Sequence, residues 1–225
     1  MRFLIFCPFK RTRVKSVFLF ASFMIPLNDQ GAWQVLKYRK LSSNKVVFGS
    51  SGLEIGLKNS ASPVIYPFSK VQKVRGVRIL GRVTGHLNIA KGTVQGDQLA
   101  DDYQVRVGFV LKGQKRLNAI QKMLAADWIV KLYELAPPEV GIDKIYFLNA
   151  TQIASSLGRY RKHPVSDLLE ERVLWRLPED GDFSLEHRFS EINEVLALWL
   201  SSDGDDTKSE YLVQISKIEL DVDSD

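Results

Sequence analysis

The chain has one cysteine, three histidines and no apolar stretch long enough to cross a bilayer, and each shortage removes a class of function. The single cysteine is Cys7, so the sequence beyond it can form no disulfide, no catalytic thiol and no thiolate metal site. His86, His163 and His187 are far apart. None has a histidine four residues away, which leaves no helical zinc motif. The most apolar run, Val17 to Leu27, spans eleven residues, well short of the ~20 that a transmembrane helix needs. An excess of one charge is also missing from the body of the protein. The formal charge of +5 is concentrated at the start, where Arg2, Lys10, Arg11, Arg13 and Lys15 face a single acid, Asp29, within the first thirty residues. The remainder is close to neutral, so the pI of about 9.2 does not describe a nucleic-acid groove, and no nucleic-acid partner is expected.

What is present is a globular composition, with 45% apolar and 25% charged residues in 225, enough for one large domain. The terminal segment 1–32 reads as a signal peptide or N-terminal anchor, with a basic n-region at Lys10–Lys15 and the apolar run as its h-region. Gly31-Ala32 is the small pair nearest a cleavage site, and an uncleaved anchor or a buried first helix is the structural alternative. On the export reading the protein is periplasmic or extracellular, and membrane contact is confined to this segment if it stays uncleaved. Residues 221–225 read as a solvated acidic tail.

Between them, residues 33–220 form a succession of short strand-like runs. Lys45 to Phe48 and Leu53 to Leu57 flank Gly49-Ser50-Ser51-Gly52, a hairpin signal. Pro63 and Pro67 bracket Val64 to Tyr66, which suits an edge strand or the entry to one. The clearest strand follows Asp101-Asp102. Tyr103, Val105, Val107, Phe109 and Leu111 alternate with Gln104, Arg106, Gly108 and Val110, which places five apolar side chains on one face. The period changes at Gln114 to Leu135, where apolar residues recur at three and four, and one helix is expected at about 114–136, ended by Pro137-Pro138. About ten strands and one inserted α-helix predict a mainly β protein, an antiparallel β-sandwich of jelly-roll, galactose-binding-like type.

Three stretches resemble a bacterial exported family designated domain of unknown function 3047: Asp101-Asp102-Tyr103-Gln104-Val105-Arg106-Val107, Ile145-Tyr146-Phe147-Leu148-Asn149-Ala150, and Ser202-Asp203-Gly204-Asp205-Asp206-Thr207-Lys208, with Ile218-Glu219-Leu220 behind the last. The resemblance implies export and a carbohydrate-module-like β-sandwich. It implies no activity, because the family has none assigned. The chain departs from the family pattern in its longer helical insertion and in Val77–Arg82, where a tryptophan-rich strand is expected.

Asp101, Asp102, Tyr103 and Arg106 are the first candidates for a ligand site. One carboxylate and the guanidinium could line a groove and bind sugar hydroxyls, or they could form a partly buried pair fixing loop to strand. Asp203, Asp205 and Asp206 are candidate Ca²⁺ ligands, although the turn lacks a glutamate at the twelfth position, and a solvated turn has the same composition. No other cofactor is indicated. Arg159 to His163 is a basic cluster open to a polyanion or to solvent. Trp33, Trp128, Trp175 and Trp199 read as core. The leading expectation is a non-catalytic module for a carbohydrate or other cell-envelope component. A glycan-active hydrolase or lyase on the same scaffold would need two acids, or a Tyr/His pair with Arg, in one cleft. An interaction subunit would expose the apolar face of the helix.

Overall fold

The computed structural model describes residues 20–163 and 166–223. Eleven strands are found among them: β1 (Phe20–Met24), β2 (Gln34–Val35), β3 (Lys45–Gly49), β4 (Gly52–Lys58), β5 (Val64–Gly85), β6 (Val105–Gly113), β7 (Gly141–Thr151), β8 (Tyr160–Lys162), β9 (Leu169–Arg176), β10 (Gly181–Ser201) and β11 (Glu210–Asp223). Helices α1 (Ala119–Leu124) and α2 (Asp127–Glu134) lie between β6 and β7. The strands hydrogen-bond in the order β3-β4-β11-β5-β10-β6-β7-β9-β8, with β1 on β11 and β2 on β5. Every pair is antiparallel except β7 with β9.

The long strands β5 and β10 run together along both layers, and their register breaks between Arg188 and Asn193 and again between Val195 and Ala197. Such bulges bend a strand. On one side of the bend β11 pairs with Val74–Gly85 of β5 and carries β4 and β3. On the other side β6 pairs with Val195–Ser201 of β10 and carries β7 and β9. The two layers face each other, because one core cluster takes Leu53, Ile55, Val213 and Ile215 from the first and Val105, Val107, Phe109 and Leu198 from the second. Alternation explains this. In β4 the buried Leu53, Ile55 and Leu57 are separated by half-buried Glu54 and Gly56, and each buried leucine or isoleucine stabilises the fold by roughly 1.5–3 kcal/mol. The β3–β4 turn depends on Gly52, whose φ is +117° and where a Cβ would stand 2.1 Å from the Ile215 carbonyl oxygen.

The strand after Asp101-Asp102 is β6, with β10 on one side and β7 on the other. Its outward residues meet a second apolar cluster, in which Val110, Ile145, Phe147, Trp199 and Leu132 of α2 pack together on the outer face of the second layer. This covered outer face positions the site.

Several boundaries differ from those expected. The single helix at 114–136 is two short helices, separated by Ala125 and Ala126 in extended conformation. A capping box of Asn118 and Gln121 starts α1, which buries none of its residues, whereas α2 turns Leu132 into the outer cluster. Of the segment 1–32, residues 20–32 pack with the domain. Residues 20–24 form β1 against β11, Ile25 and Leu27 are buried in the core, and the Pro26 carbonyl accepts a 2.8 Å hydrogen bond from the Trp33 indole. The basic residues Arg2 to Lys15, Cys7 and the first part of the apolar run lie outside the described residues. Val64 to Tyr66 belongs to the interior strand β5, and the edge character expected of the prolines is local: at Pro67 β5 has β10 beside it and, among the described residues, no strand on the other side. At the C-terminus, residues 221–223 continue β11, with Val222 buried. They are strand rather than tail, and residues 224–225 lie outside the described residues.

Candidate functional site

Register across the second layer sets one polar rung beside one aromatic rung. Trp199, Gly108, Phe147 and Glu171 are paired in sequence across β10, β6, β7 and β9, and the adjacent rung carries Ser201, Arg106 and Asn149. Gly108 is required here, since a Cβ would sit 2.6 Å from the Phe147 ring. Its absence lets that ring lie over the strand, and the Arg106 guanidinium sits 5.2 Å from the Phe147 centroid and 5.1 Å from that of Tyr103.

Arg106 is buried. It donates through Nη2 to Glu171 at 2.7 Å and through Nη1 to Asp203 at 2.9 Å. The expected pairing with Asp101 or Asp102 is therefore corrected: those carboxylates have other partners, because acids on β9 and on the turn after β10 reach the guanidinium first. Asp101 is bound by Arg161 and by His163 at 3.2 Å, and Arg161 also contacts Glu171 at 3.1 Å. Asp102 accepts 2.7 Å hydrogen bonds from both the amide and the hydroxyl of Thr207. Tyr103 is fully buried beneath Arg106 as a support, and its carbonyl accepts from Asp203 N–H and from the Tyr211 hydroxyl.

Beside this network lies a cavity of about 460 Å³, within the roughly 300–1,000 Å³ usual for small-ligand sites. Asp101, Asp102 and Arg106 line it together with Asp203, Asp205 and Asp206, so the structure brings the two sequence candidates into one place. The lining is also aromatic. Tyr38, Trp128, Trp199 and Phe147 form a chain of edge-to-face contacts with centroids 6.2, 5.5 and 5.5 Å apart, and all four line the cavity. Trp33 and Trp199 are core as expected, Trp199 also lining the cavity, while Trp175 and Trp128 are half-buried and Trp128 lines the cavity. Sequence reasoning also missed Tyr38 and Glu171, whose contacts are made by register and loop closure. Of the helical apolar face, Leu132 is buried, Leu117 and Trp128 are half-buried and Leu124 is exposed beside Ile120 and Met123.

The electrostatics follow from burial. Asp203 is pushed up to about 7 by desolvation, against the opposing pull of Arg106. Asp205 is pushed up to about 6, by desolvation and then by the charge of Asp102. Burial also raises Asp102. It acts upward on Asp101 too, but His163, Arg106 and Arg161 outweigh it and hold that carboxyl below its usual range. The phenol of Tyr38 is raised by burial and by the negative charge of Asp203. Asp203 turns inward to Arg106, Asp206 accepts from the Asp101 amide at 3.2 Å, and no group of three His, Cys, Asp or Glu among the described residues is placed to share a metal ion. In the basic cluster 159–163, Arg159 is paired with Asp97 and Arg161 with Asp101 and Glu171, while Pro164 and Val165 beyond it lie outside the described residues. No helix of the described residues is long and apolar enough to cross a membrane.

No family model matches the chain, the 3047 family included, and no curated protein matches it. Among solved structures, it is similar to a xylan-binding module, CBM15, at 8% identity over 90% of this chain and 97% of that one, with a TM-score of 0.40. A family 11 carbohydrate-binding module from Clostridium thermocellum, in complex with a β-1,3-1,4-mixed-linked tetrasaccharide, overlaps at 12% identity over 88% and 94%, with a TM-score of 0.41. The VIP36 exoplasmic/lumenal domain in its Ca²⁺/Man-bound form overlaps at 12% identity over 88% of each chain, with a TM-score of 0.38. Overlaps at this level assign no ligand to this chain.

Proposed function

We propose that this protein is a non-catalytic β-sandwich that binds a carbohydrate in the cavity beneath α2. The observation that carries the reading is that one 460 Å³ cavity is lined both by aromatic side chains (Tyr38, Trp128, Trp199, Phe147) and by carboxylates. Sugar rings present apolar C–H faces that pack on aromatic side chains, and hydroxyls that donate to carboxylates. Arg106 lines the cavity and is held there by ion pairs to Asp203 and, behind it, Glu171. The test is a glycan array with the full-length chain and with Trp128→Ala. Retention on at least one oligosaccharide that is lost in the variant supports the reading, and retention unaffected by the variant removes this cavity as the site.

A second reading, a glycan-active hydrolase, is favoured by one observation. Asp203 and Asp205 are two carboxyls lining the same cavity, and burial pushes them up to about 7 and about 6, toward the range of a general acid. Release of reducing sugar from a bound oligosaccharide, abolished in Asp205→Asn, would establish it. Export is part of the proposal and is supported by the basic stretch and apolar run at the N-terminus. Because Ile25 and Leu27 are in the core, processing is expected upstream of Phe20 or not at all, and N-terminal sequencing of the secreted chain checks this.

A further inference from the structure

The strands that carry the cavity on their outer face carry a second surface on their inner one. Register places its side chains in two rungs, Phe109, Tyr146, Glu170 and Lys162 in one and Val107, Leu148, Arg172 and Tyr160 in the next. Residues directly opposite one another share a face of the sheet, and Phe109, Val107 and Leu148 lie in the core between the layers. The facing layer does not reach the outer strands. Over Gly181–Arg188, β10 pairs with β5 and, among the described residues, with no strand on its other side. This free edge lies over β7 and the end of β9, where the Trp175 indole donates to the Glu186 carbonyl at 2.9 Å and the Tyr146 and Phe189 rings are 6.4 Å apart. Beyond that contact Arg172, Tyr160 and Lys162 are exposed, Tyr160 by 52%.

The charge on this face is mostly positive. Glu170 is met by two lysines, Lys144 at 2.9 Å and Lys162 at 3.9 Å, and so offsets one of them. Arg172 has no carboxylate partner among the described residues. Its charge is felt by the imidazole of His187 on β10, which burial and then Arg172 hold below its usual range. An unpaired guanidinium beside an exposed phenol suits a ligand that joins a carboxylate to a flat C–H face: the planar fork takes the carboxylate and the ring packs on the tyrosine. Opposed side chains on neighbouring strands stand about 5 Å apart, the scale of one pyranose ring. We propose that the inner face of β9 and β8 is a second ligand site, for an acidic glycan, which sets a uronate carboxylate on Arg172 and its ring against Tyr160 while Lys144 and Lys162 draw the carboxylates of neighbouring units. It does not depend on what the cavity holds.

The experiment is isothermal titration of the full-length chain at pH 7 with three probes. Tetragalacturonate carries both features, its methyl ester keeps the rings and removes the charge, and tetraglutamate keeps the charge and removes the rings. Tetragalacturonate is expected to bind at least about tenfold more tightly than either, and to weaken as salt rises, since exposed charges are screened. Arg172→Ala is expected to weaken it about tenfold or more, the scale of hydrogen bonds to a charged group. Arg172→Lys, which keeps the charge and loses the fork, is expected to weaken it about threefold, and Tyr160→Ala about fivefold. Both residues are exposed, so the variants are expected to fold, and melting curves confirm it. No binding of tetragalacturonate, binding unchanged in Arg172→Ala, or equal binding of tetraglutamate overturns the inference, the last reducing the face to a plain basic patch. None of these results bears on the cavity, whose own test is the loss of retention in Trp128→Ala.

Discussion

Replacing Arg106 by alanine tests whether this part of the cavity lining is held by charge. Arg106 is flanked by Glu171 and Asp203, and all three side chains are nearly inaccessible. Removing the shared cation leaves two buried carboxylates facing each other, and breaking a buried pair in this way costs about 3–5 kcal/mol. Two features place the loss at the lower end. Glu171 keeps Arg161 at 3.1 Å, and Asp203, already pushed up to about 7, can take up a proton. A loss of about 3 kcal/mol corresponds to a melting point lower by roughly 6–12 °C for a domain of this size. Urea denaturation of Arg106→Ala at pH 8 and pH 5 measures it. The loss is expected to be smaller at pH 5, where Asp203 is protonated in the variant, and to be partly recovered at pH 8 in Arg106→Ala/Asp203→Asn. A loss below about 1 kcal/mol at pH 8, the scale of an exposed ion pair, would refute the reasoning. The same arithmetic makes Arg106→Ala a poor probe of ligand binding, because it perturbs the scaffold as well as the site.

Acidity provides a second check. Asp203 and Asp205 are raised to about 7 and about 6, so between about pH 4 and 7 the folded state binds more protons than the unfolded one, and stability falls as pH rises through that window. Asp205→Asn is expected to flatten the decline in melting temperature between pH 4.5 and 8, and an unchanged slope contradicts the assignment. Deleting residues 1–32 removes β1 and the buried Ile25 and Leu27; at roughly 1.5–3 kcal/mol for each buried side chain, the truncated chain is expected to lose more than about 3 kcal/mol. Melting equal to that of the full chain would show that residues 20–32 contribute nothing. Leu132→Ala, at the contact of α2 with the outer cluster, is expected to cost about 2–5 kcal/mol in urea denaturation, and a loss within experimental error would detach α2 from the account.

The sandwich was legible because alternation in runs such as Leu53–Leu57 and Val105–Leu111 is a local property of the chain, as is the Gly49–Gly52 turn. The acids and Arg106 were legible as candidates for the same reason, since charged residues beside an apolar strand attract notice. Their partners were not. Glu171 reaches Arg106 through the parallel pairing of β9 with β7, and Asp203 through a turn 97 residues away in sequence, neither of which periodicity encodes. Trp199 is core as its apolar surroundings predict, but that it and the half-buried Trp128 also line a cavity is not legible, because apolar neighbours are the same whether a tryptophan only fills an interior or also walls a cavity. The N-terminal run has one composition and two readings for a related reason: 21–27 is strand and core segment, and an apolar h-region looks the same in sequence. The single helix failed at Ala125-Ala126, where two good helix formers adopt extended backbone, a break that propensity argues against and that packing of Trp128 and Leu132 accompanies.

The central claim is that a glycan occupies the cavity lined by the carboxylates and by Tyr38, Trp128, Trp199 and Phe147. The indole N–H resonances of the four tryptophans report it directly in a titration of ¹⁵N-labelled full-length protein with a tetrasaccharide retained on the glycan array. Trp128 and Trp199 are expected to shift progressively and saturate, while Trp33, held by the Pro26 carbonyl, and Trp175, held by the Glu186 carbonyl, stay in place. Saturable shifts confined to Trp33 or Trp175, or none at Trp128 and Trp199 with this or any other tetramer, would contradict it.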